Sequence, residues 1–152
     1  MRSFFKASLL RRILLTCCTL AVFSAGVHAS EKTAAEAARR LLNKLKELGW
    51  NVRDTYTTGL LRLGQSVVIT TKLEKGNKYK LVAGGCNDAS DIDIAVYDEN
   101  DELISKDTDE SVVSVAEITP KWSGEFKVKV TMYRSTKDGA HYVLQYAWRR
   151  VE

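Results

Sequence analysis

The chain has 152 residues, with 23 basic and 19 acidic side chains and a formal net charge of +4. This surplus lies in the first 29 residues, which hold four basic side chains and no acidic one, so the other 123 residues are formally neutral. The basic isoelectric point of the whole chain therefore gives no reason to expect nucleic-acid binding. A neutral stretch of this length is typical of one domain with its own hydrophobic core.

Residues 1–29 have the pattern of a bacterial Sec-type signal peptide. A basic start precedes the apolar run of residues 13–22, which is too short to span a bilayer, and small residues follow up to Ala29. We expect cleavage after Ala29, so that the mature chain begins at Ser30, is secreted or periplasmic, and has no membrane contact. An uncleaved anchor and lipid attachment at Cys17 or Cys18 are the alternatives.

Residues 30–62 are predicted to form an amphipathic helix and a connection. The helix is expected over residues 33–48, because Thr33 and Glu36 fit a capping box and Gly49 fits the left-handed position that ends a helix. Its apolar residues recur at helical spacing and form a wide stripe: Ala34, Ala37, Ala38, Leu41, Leu42, Leu45 and Leu48. So wide a stripe predicts packing against the following domain rather than binding to a membrane surface. The pattern of residues 50–62 predicts no particular structure.

Residues 63–152 are predicted to form a β-sandwich domain. Short apolar runs alternate with polar residues and are separated by turn residues. The predicted strands lie at about residues 67–73, 79–83, 91–97, 103–105, 112–118, 126–132 and 142–148. The expected fold is mainly β: an antiparallel, jelly-roll-like β-sandwich of about seven or eight strands, preceded by one amphipathic helix.

Three parts of this domain together resemble a known family. They are the turn and strand around Gly76 and Tyr79, the run DIDIAVYD at residues 91–98, and the run SGEFKVKV at residues 123–130, which GAHYVL follows at residues 139–144. In this order they resemble the bacterial pre-peptidase C-terminal domain, a jelly-roll-like β-sandwich found beside secreted proteases. The similarity covers roughly residues 64–148. It implies an accessory or binding role, with bound calcium in some members.

Residues 86–110 hold ten acidic side chains and one basic side chain, Lys106. Such a density of like charge needs opposing charge, from a bound cation or from facing lysines such as Lys127 and Lys129. Calcium prefers several oxygen ligands, and its candidate ligands here are Asp88, Asp91 and Asp93. The alternative is a solvated acidic face with diffuse counterions.

After removal of the leader, Cys86 is the one cysteine and His141 the one histidine. A zinc site built on paired histidines or cysteines is therefore excluded, and no nucleophile-elbow motif occurs. We expect no catalysis and interpret His141 as a surface residue beside a turn. Cys86 is interpreted as a part-buried apolar residue at a strand end, with a disulfide-linked dimer and a reactive thiol as alternatives.

The aromatic residues Tyr97, Trp122 and Tyr133 are candidate contact residues for a protein or a carbohydrate, although they could instead cap the ends of the core. The sequence thus predicts a secreted or periplasmic, noncatalytic binding or accessory protein that interacts with proteins and is stabilised by calcium. The alternative is a small secreted hydrolase of glycosides or peptides that uses acidic residues of the segment 88–110.

Overall fold

The computed structural model describes residues 25–136 and 138–151. Within these residues the chain forms a helix followed by nine strands. The helix is α1 (Ala25–Glu47), and the strands are β1 (Asn51–Val52), β2 (Thr57–Leu61), β3 (Ser66–Leu73), β4 (Asn77–Gly85), β5 (Ala89–Tyr97), β6 (Leu103–Asp107), β7 (Val113–Ile118), β8 (Gly124–Ser135) and β9 (Ala140–Arg150).

The strands form two antiparallel sheets, which pack face to face. In sheet A, β9 lies between β4 and the two short strands β1 and β2, and β7 pairs with the other side of β4. Sheet B has the order β3-β8-β5-β6. This architecture confirms the predicted antiparallel β-sandwich preceded by a helix. The seven predicted strands correspond to β3–β9, and β1 and β2 lie in the connection for which the sequence predicted no structure.

The core between the sheets follows from the alternation of side chains along each strand. In β8, Phe126 and Met132 are at most 1% exposed, whereas the alternating position Lys127 is half-buried. The inner faces of both sheets supply the other large buried side chains. These include Leu81, Ile92, Ile94, Val96, Val128, Val130 and Leu144.

Helix α1 covers the second face of sheet A. Four of its side chains are buried at helical spacing: Ala34, Ala38, Leu42 and Leu45. They pack against β4 and β9, and consecutive residues of β4, Leu81 and Val82, are both fully buried because this strand has a packed layer on each side. The predicted packing of the amphipathic stripe against the following domain is confirmed, except at Leu48, which is 72% exposed.

The two ends of α1 differ in how well the sequence predicted them. Within the described residues the helix extends back to Ala25, so Thr33 lies inside it and the predicted capping box at Thr33 is wrong. Residues 25–32 contain no proline, and each added helical residue gains a hydrogen bond, so nothing stops the helix at Thr33. Gly49 (φ 81°) ends the helix as predicted, with the Trp50 N–H donating to the Leu45 carbonyl oxygen (3.0 Å).

Most of the predicted leader, residues 1–24, lies outside the described residues, and the predicted cleavage point after Ala29 falls within α1. In the part of the chain that the structure describes, no helix combines the length and the apolar character needed to cross a membrane.

Candidate functional site

The three predicted calcium ligands lie at the β4–β5 turn and in the first half of β5. Asp91 is 4% exposed, and its Oδ1 accepts a hydrogen bond from the Ser111 N–H (3.4 Å). The backbone carbonyl of Asp88 accepts from the N–H and the hydroxyl of Thr136 (2.7 and 3.1 Å). Among the described residues, no three His, Cys, Asp or Glu side chains form a group that could hold a metal ion. Calcium binding by Asp88, Asp91 and Asp93 therefore stays a prediction.

Asp93 lies in a negative environment. Burial raises the pKa of its carboxyl group, and the negative charges of Asp91 and Asp107 raise it further. The Asp107 carboxylate accepts hydrogen bonds from the Asp109 N–H (3.1 Å) and the Val115 N–H (2.8 Å), which ties the end of β6 to β7. The carboxylate of Asp93 is therefore repelled by those of Asp91 and Asp107. Asp107 also joins β6 to β7 through its hydrogen bond with Val115.

Basic side chains offset part of the acidic segment, as the sequence predicted for Lys127. Its Nζ lies 2.6 Å from Oδ1 of Asp101 in the β5–β6 turn. Arg134 pairs in the same way with Glu110, with 2.6 Å between Nη1 and Oε1. Both pairs are largely solvent-exposed, so each contributes little to the free energy of unfolding.

The three candidate contact aromatics do not share one surface. Trp122 stacks on the core residue Phe126, with 5.5 Å between ring centroids, and is part-buried. Tyr97 lies opposite Lys127 in the β5–β8 register, and the exposed Tyr133 lies six residues farther along β8. At about 3.3 Å per residue, Tyr97 and Tyr133 are about 20 Å apart. Each could make a contact of its own, but they do not form one binding site.

Cys86 and His141 lie where β4 ends and β9 begins. Cys86 is 3% exposed, and its N–H donates to the His141 carbonyl oxygen (3.0 Å). Its burial agrees with the interpretation of Cys86 as an apolar residue at a strand end. Neither residue lines either of the two clefts described next.

The first cleft, here called the β3–β9 cleft, opens between the end of β3 and the inner face of β9. Its volume is about 220 Å³, and its lining residues are Arg53, Lys72, Leu73, Glu74, Asn77, Tyr79, Tyr146 and Trp148. The pairing of β4 with β9 places Tyr79 opposite Trp148 and Leu81 opposite Tyr146, so the three aromatic side chains share one face of sheet A. They form an apolar floor.

Polar groups at the rim of the β3–β9 cleft are held by defined hydrogen bonds. The Tyr79 hydroxyl accepts from the Glu74 N–H (3.0 Å) and the Asn77 side-chain amide (3.3 Å). The Arg53 N–H donates to the Tyr146 carbonyl oxygen (2.9 Å), and its guanidinium lies 4.9 Å from the centre of the Tyr146 ring. Burial raises the pKa of Tyr146, although a hydrogen bond to Thr71 and the charge of Arg53 oppose the shift.

A second cleft, the helix cleft, lies between α1 and the β1–β2 connection and has a volume of about 300 Å³. Its charged lining residues are Arg39, Lys46, Arg53 and Asp54. Gln145 fixes the connection, because its side-chain amide donates to the Arg53 carbonyl oxygen. Arg53 lines both clefts, so the two cavities flank the same short segment and both carry more positive than negative side chains.

The sequence patterns did not indicate the residues that line the β3–β9 cleft. Arg53 lies in the connection for which no structure was predicted, and Tyr79, Tyr146 and Trp148 were interpreted as alternating strand positions. A signal was present in part, because Tyr79 and the aromatic residues of the last strand fall on one side of two predicted strands. The sequence does not show that these strands are neighbours.

The β3–β9 cleft thus combines an aromatic floor with a rim that Arg53 makes positive, which suits an amphipathic ligand that carries negative charge. Comparison with known proteins adds no assignment, because no protein-family model and no curated protein matches the chain.

Proposed function

We propose that the protein is a secreted or periplasmic, noncatalytic binding or accessory module that recognises a partner protein at the β3–β9 cleft. The observation that carries the proposal is the position of Arg53, whose guanidinium lies over Tyr146 at the rim of an aromatic-floored cleft. Aromatic and arginine side chains dominate the binding energy of protein interfaces. The leader pattern of residues 1–29 supports a location outside the cytoplasm.

One backbone hydrogen bond to Tyr146 and one from the side chain of Gln145 tie the segment that carries Arg53 to β9, so little ordering is needed when a partner binds. Among the described residues Glu74 is the one carboxylate that lines this cleft, beside the cations Arg53 and Lys72. The site therefore favours attraction of a negatively charged group over acid–base chemistry, which needs two groups with separated pKa values.

The alternative of a small hydrolase is supported by Asp93, because a carboxyl group with a raised pKa close to other carboxylates has a property of a general acid. Asp93, Asp91 and Asp107 line neither of the two clefts. The binding proposal is preferred because its residues surround a cavity.

The test is affinity capture from the native cell envelope with the tagged chain and with an Arg53→Ala, Lys72→Ala double variant. We expect the double variant to lose at least about tenfold of the captured partner, because an arginine that a partner covers at the centre of an interface contributes roughly 1.4 kcal/mol or more. Lys106→Ala is the matched control, since Lys106 is an exposed lysine on β6, at the opposite edge of sheet B. Equal capture by all three proteins would reject the β3–β9 cleft as the binding site.

A further inference from the structure

Strand β3 forms an open edge of sheet B. It pairs with β8 over all eight of its residues without a register shift, and no other described strand pairs with its second edge. Lys72 is its one charged residue, it contains no proline, and the outward side chain of Val68 is 57% exposed. Long, regular and uncharged edges are those with which another chain can pair.

The other sheet edges within the described residues are protected. On β7, the Val115 N–H donates to the Asp107 carboxylate (2.8 Å) and the Val113 N–H to the Ser111 hydroxyl (3.1 Å). Strand β6 has five residues, and its pairing with β5 contains an irregularity. Strands β1 and β2 have two and five residues and are interrupted by a connection. The openness of β3 is therefore specific to that strand.

The direction of the free backbone groups on β3 follows from one hydrogen bond. The Met132 N–H donates to the Gln65 carbonyl oxygen (2.9 Å) at the start of the β3–β8 ladder. Because hydrogen-bonded and free positions alternate in an antiparallel pair, every second residue of β3 directs its N–H and C=O away from β8. These residues are Ser66, Val68, Thr70 and Lys72.

The open edge leads into the β3–β9 cleft. Lys72, Leu73 and Glu74 at the end of β3 line that cleft together with Arg53. A chain that ran along β3 would therefore reach two exposed cations, Arg53 and Lys72, at the end of the strand. The eight residues of β3 span about 26 Å, so a partner segment of about eight extended residues would match the length of the strand.

We infer that the partner adds an extended acidic segment to β3 as a further strand of sheet B and places an acidic side chain between Arg53 and Lys72. This inference rests on the function proposed above. Main-chain hydrogen bonds along an open edge supply affinity in this mode of recognition, and side-chain sites at the ends supply specificity.

A second copy of the chain fits the same edge less well. In an antiparallel pair of two β3 strands, the Lys72 end of one lies beside the Ser66 end of the other, where the nearest charged residue is Arg62. Like charges would then meet, and the cations of the cleft would gain no acidic partner.

The first experiment measures fluorescence anisotropy of the peptide acetyl-Glu-Asp-Thr-Val-Thr-Ile-Thr-Val-Lys-amide, labelled on its lysine side chain, with the chain from Ser30 onward. Methylation of alternate backbone nitrogens, on the side that faces β3, should weaken binding at least about tenfold, because it removes the donors of an added strand. Replacement of the two acidic residues of the peptide by Gln and Asn should weaken binding about fivefold at low salt and less at high salt.

The second experiment changes the protein. Thr70→Pro removes a free-edge N–H that β8 does not use, and should weaken binding of the acidic peptide about tenfold. Lys72→Glu leaves the edge intact and should abolish the preference for the acidic peptide over the Gln-Asn peptide. Lys106→Ala should bind like the unaltered chain, and the Tm of each variant shows whether it is folded.

The outcomes separate this inference from the proposed function. If the methylated peptide binds as well as its parent, strand addition is wrong, although loss of partner capture by the Arg53 and Lys72 double variant would still support binding at the cleft. A dimer that Thr70→Pro dissociates, with no peptide binding, would assign the edge to a second copy and overturn the inference. Displacement of the peptide by oligogalacturonate at lower concentration than by unlabelled peptide would likewise overturn it, in favour of an acidic glycan.

Discussion

A Cβ atom on Gly84 would lie 2.8 Å from the carbonyl oxygen of Ala34. The same atom would lie 3.0 Å from the backbone nitrogen of Ala38, so the backbone of α1 rests directly on β4 at this point. Two small helical residues and one glycine allow this approach, and Leu42 and Leu45 farther along the helix are also buried. The helix is part of the core of the domain.

Substitution Gly84→Ala should destabilise the protein, because the backbone of α1 cannot move as a flexible side chain would. We expect the free energy of unfolding to fall by about 1–3 kcal/mol, the usual cost of overpacking. Denaturant unfolding followed by circular dichroism measures it. The control Ser90→Ala, at an exposed position of β5, should change it by less than about 0.5 kcal/mol; a Gly84→Ala variant as stable as this control would contradict the close packing of the helix.

Substitution Asp93→Asn should stabilise the protein at neutral pH. Since the folded-state pKa of Asp93 is raised above its ordinary value of 3.8, the stability that its protonated form contributes is present below that value and is lost as the pH rises through the raised pKa. The advantage of the variant should therefore be small at pH 3 and larger at pH 7. Thermal unfolding at both pH values measures the difference in stability between the variant and the unaltered chain. If this difference does not grow with pH, burial and the neighbouring carboxylates do not destabilise the charged form of Asp93.

Substitution Glu117→Gln should have the opposite pH dependence. The carboxylate of Glu117 lies 2.5 Å from Nζ of Lys78 and 2.7 Å from Nζ of Lys80, and these hydrogen bonds lower its pKa. Its contribution is present above its ordinary pKa and is lost as the pH falls through the lowered value. Because the group is partly exposed, we expect a loss of less than about 1 kcal/mol at pH 7. In high salt the loss measured by urea unfolding should shrink; insensitivity to salt would rule out an ionic origin.

Added Ca²⁺ should raise the Tm more than Na⁺ does at equal ionic strength. The physical reason is the mutual repulsion of Asp91, Asp93 and Asp107, which a divalent cation relieves more strongly than diffuse counterions. Differential scanning calorimetry with and without chelator measures the shift, and the Asp93→Asn variant should show a smaller one. Identical Tm values in the two salts would reject specific calcium binding and support the alternative, a solvated acidic face with diffuse counterions.

Strands β3–β9 were predictable because each has a local signal. Phe126, Val128, Val130 and Met132 alternate with polar residues in the sequence, and the structure buries all four. The start of α1 was not predictable in this way, since a capping residue such as Thr33 favours a helix start but does not prevent extension towards Ala25.

The candidate site was harder to predict because long-range pairing creates it. Tyr79 and Trp148 meet only when β4 pairs with β9, and no local pattern specifies which strands become neighbours. The acidic residues differ from this case, because Asp91 and Asp93 are close in sequence and their carboxylates also interact in the structure. The register shifts on both sides of Asp91 could not be predicted, since no local pattern specifies a β-bulge here.

The position of the buried helical residues has a consequence for maturation. Ala34 is the first side chain of α1 described as buried, and the predicted cleavage point after Ala29 precedes it by more than one helical turn. Excision of the leader at that bond would shorten the helix but spare the four side chains described as buried against sheet A, Ala34, Ala38, Leu42 and Leu45. If the predicted cleavage takes place, it therefore removes none of these four residues from the core of the domain.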